Sequence, residues 1–332
     1  MAVLNVLCVG TEDFARNLGK RTDDRDVESY IHKEMRNEQQ DALTFLRPRK
    51  HPERIRPLLA ALDISDAGVI QVQRIDSSLG EVLVATSVAG LRNGTVVIDP
   101  EEGEWVDPDQ LSTIIKQAGL EGWKIMTTAD VHAIREQAWE TLDKKQKDSA
   151  NSTDAPLAIP VDQNFSVKGV GLVAIGTVQT GVVNKHDNLV TAPGGDTGVV
   201  RSLQVMDVDV DTASEGDRVG VALRNMKENA LSRGIILTRP EDVGHIEVHS
   251  SSSIQIERAP FQKRSIEEGT VIHASVDLQF VVGRCKEVGE RIHIDWDAPI
   301  LVRTGASRRL ILSQLDAGSM RILGHATNIQ SK

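Results

Sequence analysis

The chain has 332 residues with 38 Lys and Arg against 48 Asp and Glu, a formal charge of −10, and its length suits two or three domains. Four Trp, one Tyr and five Phe amount to 3% of the residues, so the core must be built from Val, Ile, Leu and Ala, and this composition argues against a binder that relies on base stacking. The acidic balance excludes a broad basic nucleic-acid binder and leaves room only for a local basic patch.

The run Ala2–Val9 reads as a buried strand, since it has no basic flank or small-residue cleavage site of a signal peptide. Asp41–Leu46 is a short strand. Pro52–Leu62 has helical spacing at Ile55, Leu58, Leu59 and Leu62. Gly68–Val72 is a strand, Gly80–Ala89 a helix, Thr95–Ile98 a strand, Pro108–Ala118 a helix and Lys124–Thr127 a strand. Val131–Lys145 is a helix with Val131, Ile134, Ala138 and Leu142 on one stripe. This alternation predicts an α/β domain, a mostly parallel sheet with helices on both faces.

Lys144 to Pro156 is polar and lacks hydrophobic periodicity, which marks a linker. After it come only short apolar runs, at 157–165, 171–178, 197–206, 218–224 and 235–238, separated by Gly, Asn and Asp turn signals. A second set follows at 246–256, 270–276, 279–285, 291–295, 310–315 and 319–327, with Pro240 between the sets. These predict two small all-β barrels. The expected boundaries are 1–145 for the first domain, 146–156 for the linker, 157–240 for one barrel and 241–330 for the other.

Cys8 and Cys285 lie in apolar runs, exclude a disulfide framework and read as buried thiols of a cytoplasmic protein. No stretch approaches 18 uninterrupted apolar residues, so no membrane span is expected. His186, His245, His249, His273, His293 and His325 lack metal-ligand spacing with Cys or acid partners, so no metal is expected.

Residues 157–240 resemble the second domain of translational GTPases of the elongation factor Tu and SelB type. The resemblance rests on Pro160, Gly169, Gly171, Gly176, Val178 and Gly181, then Gly216-Asp217-Arg218-Val219-Gly220 and Arg233-Gly234. Each Gly falls where a small barrel turns a corner or closes a hairpin. Residues 246–327 resemble the third domain more weakly, through the closing run after Leu310, which is similar to the last strands of archaeal relatives.

The resemblance implies a Ras-like nucleotide domain at residues 1–145. The segment 51–72 resembles the family's His-Val-Asp-Phe helix and following strand, with His51, Asp66 and Ala67 in register. The Asp-Thr-Pro-Gly upstream holds the magnesium shell and the γ-phosphate in the family. Here those positions read Arg47-Pro48-Arg49-Lys50. A phosphate loop needs Gly-Lys-Ser/Thr; Ala15, Arg16 and Asn17 stand there, and Glu12 and Asp13 would repel a triphosphate. The guanine-reading Asn-Lys-x-Asp should follow Thr95–Ile98, where the chain reads Asp99-Pro100-Glu101-Glu102. A degenerate domain, a pseudo-GTPase without GTP or Mg²⁺ as cofactor, is therefore expected. With no nucleotide to hydrolyse, His51 reads as structural.

Arg47, Arg49, Lys50, Arg54 and Arg56 face only Glu53 within ten residues of an acidic chain. They read either as a phosphate-contacting patch for RNA, with salt-sensitive binding, or as a solvated loop. Arg303, Arg308 and Arg309 lie in a turn of the last barrel and read as further RNA contacts or as ordinary hairpin-tip charges. The acidic loop 101–109 carries five carboxylates, half the net charge, and is a candidate protein-docking loop. The expected protein is a monomeric, elongation-factor-like binder of tRNA or the ribosome with no nucleotide-driven switch. The alternative is an active GTP-dependent translation elongation factor with divergent motifs, selenocysteine-specific as one case of it.

Overall fold

The structure is a computed structural model that describes every residue except 1, 37, 150–154, 307 and 319. The first unit runs β1 (Val3–Val9), α1 (Glu12–Leu18), β2 (Lys20–Asp24), β3 (Val27–Arg36), β4 (Gln39–Pro48), α2 (Arg56–Ile64), β5 (Ala67–Val72), α3 (Ser77–Ala89), β6 (Gly94–Ile98), α4 (Pro108–Gln117), β7 (Lys124–Met126) and α5 (Val131–Ser149). The sheet order is β2-β3-β4-β1-β5-β6-β7. Strands β4, β1, β5, β6 and β7 are parallel, while β2 and β3 join antiparallel at one edge. Helices α2, α3 and α4 pack on one face around Leu58, Leu62, Leu83 and Ile115; α1 and α5 pack on the other around Phe14, Leu18, Trp139 and Leu142. The expected two-faced, mostly parallel sheet is thus present.

Helix α1 and the β2–β3 hairpin were not anticipated from the sequence. Thr11 caps α1 by accepting the Phe14 N–H, and Glu12 and Asp13 occupy its first turn, where negative charge suits the helix dipole. Helix α2 begins at Arg56, four residues later than its periodicity suggested, because 49–53 form turns that carry His51. Helix α5 continues through Ser149 into the stretch expected as linker, and 150–154 of that stretch lie outside the described residues.

In the second unit, Ile159–Val167, Gly171–Thr177, Arg218–Arg224, Thr197–Val205, Asn188–Ala192 and Ile236–Thr238 pair in a ring, because Asn188–Ala192 bonds to both of its neighbours. Asn188–Ala192 has no counterpart among the runs expected from the sequence, being five residues closed off by Pro193. The third unit is a closed barrel of Ile246–Arg258, Val271–Val276, Gln279–Val288, Ile292–Arg303, Ile311–Ser313 and Ile322–Ser331. Ile292–Arg303 extends well past the expected 291–295. Pro299 lies where pairing jumps from Ser251–Asp295 to His249–Ile300, an irregularity that tolerates a residue without an N–H. Ser319, the first residue of the expected last strand, lies outside the described residues. Among the described residues, no helix is long and apolar enough to cross a membrane.

The few aromatic rings have distinct duties. Trp123 lies against the bare backbones of Gly68 and Gly94 on neighbouring strands, where a Cβ would stand 2.5 Å from its ring, and its indole N–H donates to the Leu91 carbonyl at 3.1 Å. Trp139 is buried in α5, and Trp296 donates to Ser252 Oγ at 2.8 Å inside the third unit. Trp105, in the acidic loop, is 76% exposed.

Candidate functional site

The chain turns from β1 into α1 through Gly10 and Thr11 alone. Five backbone groups of this turn and of the first turn of α1 have protein partners. Thr11 N–H donates to Gln71 Oε1 at 2.8 Å, Gln71 Nε2 donates to Asp99 Oδ2 at 2.7 Å, and the Gly10 carbonyl accepts from Arg47 Nε at 2.9 Å. The Phe14 and Ala15 N–H groups turn back to the Thr11 hydroxyl and carbonyl. Arg47 also donates from Nη1 to Glu28 Oε2 at 2.7 Å. Glu28 is buried and in addition accepts from Arg21 and from the Tyr30 hydroxyl.

The structure therefore separates the five basic residues of 47–56. Arg47 points inward to Gly10 and Glu28, which removes it from the patch read from the sequence. Arg49 is exposed and bonds the Asp24 carbonyl. Arg56 lies with its guanidinium 5.4 Å over the Phe280 ring, and burial together with the Arg233 charge lowers its pKa. Arg49, Lys50 and Arg54 border a cavity of about 420 Å³ where all three units meet. Its other basic residues, Arg25, Arg218 and Arg233, had not been singled out. Arg218 and Arg233 stand in the Asp-Arg-Val and Arg-Gly motifs, whose glycines signal turns and not a basic cavity.

The three arginines of the last turn are not a free RNA-facing tip. Arg303 is 9% exposed and makes a two-pronged pair with fully buried Asp277, at 2.7 and 2.8 Å. Arg308 reaches from the third unit to the Ser65 carbonyl and Asp66 Oδ1 in the first unit, and to Gln179 Oε1 in the second. Arg309 donates to the Val88 carbonyl at the end of α3. Desolvated guanidinium groups need such partners, and here these partners belong to other elements.

Other contacts tie the units at the same seam. Asp63, on α2, accepts the backbone N–H groups of Asp277 and Leu278 at 2.9 and 2.7 Å. Glu81, on α3, accepts the Arg321 backbone N–H at 2.8 Å and its Nε at 3.0 Å, with His51 Nε2 3.3 Å from the same carboxylate. A second opening of about 670 Å³ lies between β2–β4 and the second unit, with Phe165 and Met206 on its wall.

Residues 171–238 match the elongation factor Tu domain 2 family. An uncharacterized protein of Methanocaldococcus jannaschii is 31% identical over 314 residues, which cover 94% of this chain and 95% of that protein. This chain belongs to the translational GTPase family of the elongation factor Tu and SelB type. Elongation factor 1-alpha of Methanobrevibacter smithii is 24% identical over 63% of this chain and 57% of its own length. The selenocysteine-specific elongation factor of M. jannaschii is 29% identical over 59% of this chain and 44% of its own. The matched regions thus span about half of those factors. The solved structure of SelB from Methanococcus maripaludis in complex with the GTP analogue GPPNHP superimposes with a TM-score of 0.75 at 20% identity, over all of this chain and 80% of that one. That likeness speaks to the fold, a Ras-like sheet followed by two six-stranded barrels.

Proposed function

We propose that this protein works in translation as an elongation-factor-like binder of tRNA or the ribosome, without a nucleotide-driven switch. The observation that carries this reading is Arg47 on the Gly10 carbonyl and on Glu28. In the resembling family its position holds the magnesium-shell Asp. A guanidinium there opposes a divalent cation rather than binding it. A phosphate loop also needs free backbone N–H groups, whereas those of Thr11, Phe14 and Ala15 already have acceptors. Glu12 and Asp13 put negative charge at the start of α1, where it would repel a triphosphate. The residues present therefore do not suit GTP and Mg²⁺.

In this reading the units stay docked through the Asp63, Glu81 and Arg308 contacts, and binding is constitutive. Calorimetric titration with GTP and GDP in Mg²⁺ should give no guanine-specific binding. Tight, guanine-specific, Mg²⁺-dependent binding would overturn the reading in favour of an active GTP-dependent factor. Co-sedimentation with ribosomes, or a tRNA gel shift that weakens with salt, is expected; failure of both removes the translation role.

A protein partner at loop 101–109 is a further part of the proposal, supported by Trp105 standing exposed among five carboxylates. Its test is a pull-down that is lost when Glu101, Glu102 and Glu104 are neutralised.

A further inference from the structure

The three units are not joined alike. Ala259, Ile311 and Ile322 of the third unit are buried in the same apolar cluster as Leu58, Leu62 and Leu83 of the first, with Phe280 and Met320 packed against it. Asp63 and Glu81 add buried hydrogen bonds across that seam. Among the described residues, no buried apolar cluster spans the first and second units. Their seam is ionic instead. Arg25 meets Asp162 at 2.9 Å, Arg218 meets Asp23 at 3.3 Å, Lys145 meets Glu215 at 3.8 Å and Arg233 meets Asp26 at 3.9 Å. Three further hydrogen bonds cross it among the described residues, from Asn5, Gln179 and Lys33 to the carbonyls of Gly216, Asp63 and Met206. The charged groups also have partners on their own side. Asp23 pairs with Arg25 at 2.6 Å and Lys145 with Asp66 at 2.9 Å in the first unit, while Asp162 lies 3.5 Å from Arg218 and 3.7 Å from Arg233 in the second. If the two units part, these charges keep a counter-charge.

Units within a chain move against one another unless their interface is large and hydrophobic, a condition that favours the first–third seam over the first–second one. Each of the four cross-seam ion pairs has a side chain at least 32% exposed, so salt reaches it. The screening length shrinks from about 8 Å at 0.15 M to about 3 Å at 1 M, and exposed pairs hold weakly to begin with. Openings of about 420 and 670 Å³ also interrupt the packing along this seam. On its other side the second unit meets the third through a small apolar cluster of Ala158 and Ile236 with Leu301, and through Arg308 on Gln179 and Arg303 on Thr180. The chain passes between these two units along Arg239–Ile246, directly beside that cluster, and a short connecting segment of this kind can absorb a rotation. We propose that the first and third units form one body and that the second unit is an arm, pivoting on Arg239–Ile246 and released from the first unit by salt. This goes beyond the constitutive binding proposed above, which needs only the first–third docking.

The test is distance measurement between paired spin labels on the full chain. Cys8 and Cys285 are buried, so labels go to cysteines introduced at exposed positions: Gln117→Cys in the first unit, Lys168→Cys in the second and Glu290→Cys in the third. Between about 0.1 and 1 M KCl, the range over which exposed pairs lose their reach, the 117–168 distance should gain a longer population while the 117–290 distance stays fixed. Arg25→Gln removes the shortest cross-seam pair and should lower the salt concentration of half-opening roughly twofold. Glu215→Gln, at an exposed carboxylate, should shift it in the same direction and covers the case in which Arg25→Gln does not fold. A 117–168 distance that is unchanged at 1 M KCl overturns the proposal. So does a 117–290 distance that lengthens along with it, because the third unit would then leave with the second. Opening whose midpoint ignores both substitutions also overturns it, by removing the ion pairs as its cause. Each of these outcomes leaves the nucleotide-free reading standing, since that rests on guanine-nucleotide titration.

Discussion

Arg47 Nε donates to the Gly10 carbonyl over 2.9 Å while its Nη1 holds Glu28 over 2.7 Å, so one side chain joins the end of β4 to the turn after β1 and to β3. Glu28 is only 2% exposed. Arg47→Ala should therefore cost about 2–4 kcal/mol, as for a buried carboxylate that loses a partner, and urea unfolding measures it. Arg47→Lys should recover only part, because a point charge cannot span both acceptors as the planar fork does.

Glu81 gives the molecule an acid limit. Burial works against its ionisation, but hydrogen bonds from Arg321 and His51 outweigh burial and hold its pKa at about 2, below the ordinary 4.5. A depressed folded pKa stabilises the fold above the unfolded value, and that stability drains away as pH falls from about 4.5 toward 2. Glu81→Gln should flatten this part of the stability–pH curve and lower stability at pH 7 by about 2–4 kcal/mol, the consequence of leaving Arg321 without its counter-charge.

Asp63 acts in the opposite direction. Burial, aided by the charge of Asp277, raises its pKa to about 6. The folded state then holds a proton that the unfolded chain has released between about pH 4 and 6, so this residue's contribution to stability falls as pH rises through that window. Asp63→Asn keeps an acceptor for the Asp277–Leu278 turn and should remove that slope. Chemical denaturation of the variant and the parent chain between pH 4 and 7 compares the two directly.

Gly94→Ala should destabilise the first unit by about 1–3 kcal/mol, the usual cost of overpacking a rigid site. Its new Cβ would lie 2.5 Å from the Trp123 ring, and β6 is held on both sides, by β5 and β7. The loss should accompany a change in near-ultraviolet circular dichroism as the indole is displaced.

Strands and helices with strong periodicity were legible: the five parallel strands, α2 to α5, and most of the barrel strands. The β2–β3 hairpin was not, since Lys20–Asp24 is wholly charged or hydroxylic and Val27–Arg36 ends in a charged run. Its pairing is decided by the neighbouring β4 rather than by its own apolar pattern. The start of α1 was visible in Thr11-Glu12-Asp13, a cap followed by acids, but comparison with a phosphate loop gave those residues another meaning. For the candidate site, the loss of nucleotide-binding residue types was readable one position at a time. The inward turn of Arg303 and Arg308 was not, because their partners Asp277 and Asp66 lie 26 and 242 residues away. The basic cavity was half visible, because Arg218 and Arg233 join Lys50 and Arg54 only once the barrel packs against α2.

The placement of the indoles makes the molecule its own optical label. Trp123 and Trp139 are buried in the first unit and Trp296 in the third, while the middle barrel contains neither Trp nor Tyr. Tryptophan emission therefore watches the two outer units and is blind to the middle one. A middle barrel that melted separately would appear in the backbone signal with no change in colour, whereas coincidence of the two signals would identify Arg308, which touches all three, as part of a single weld.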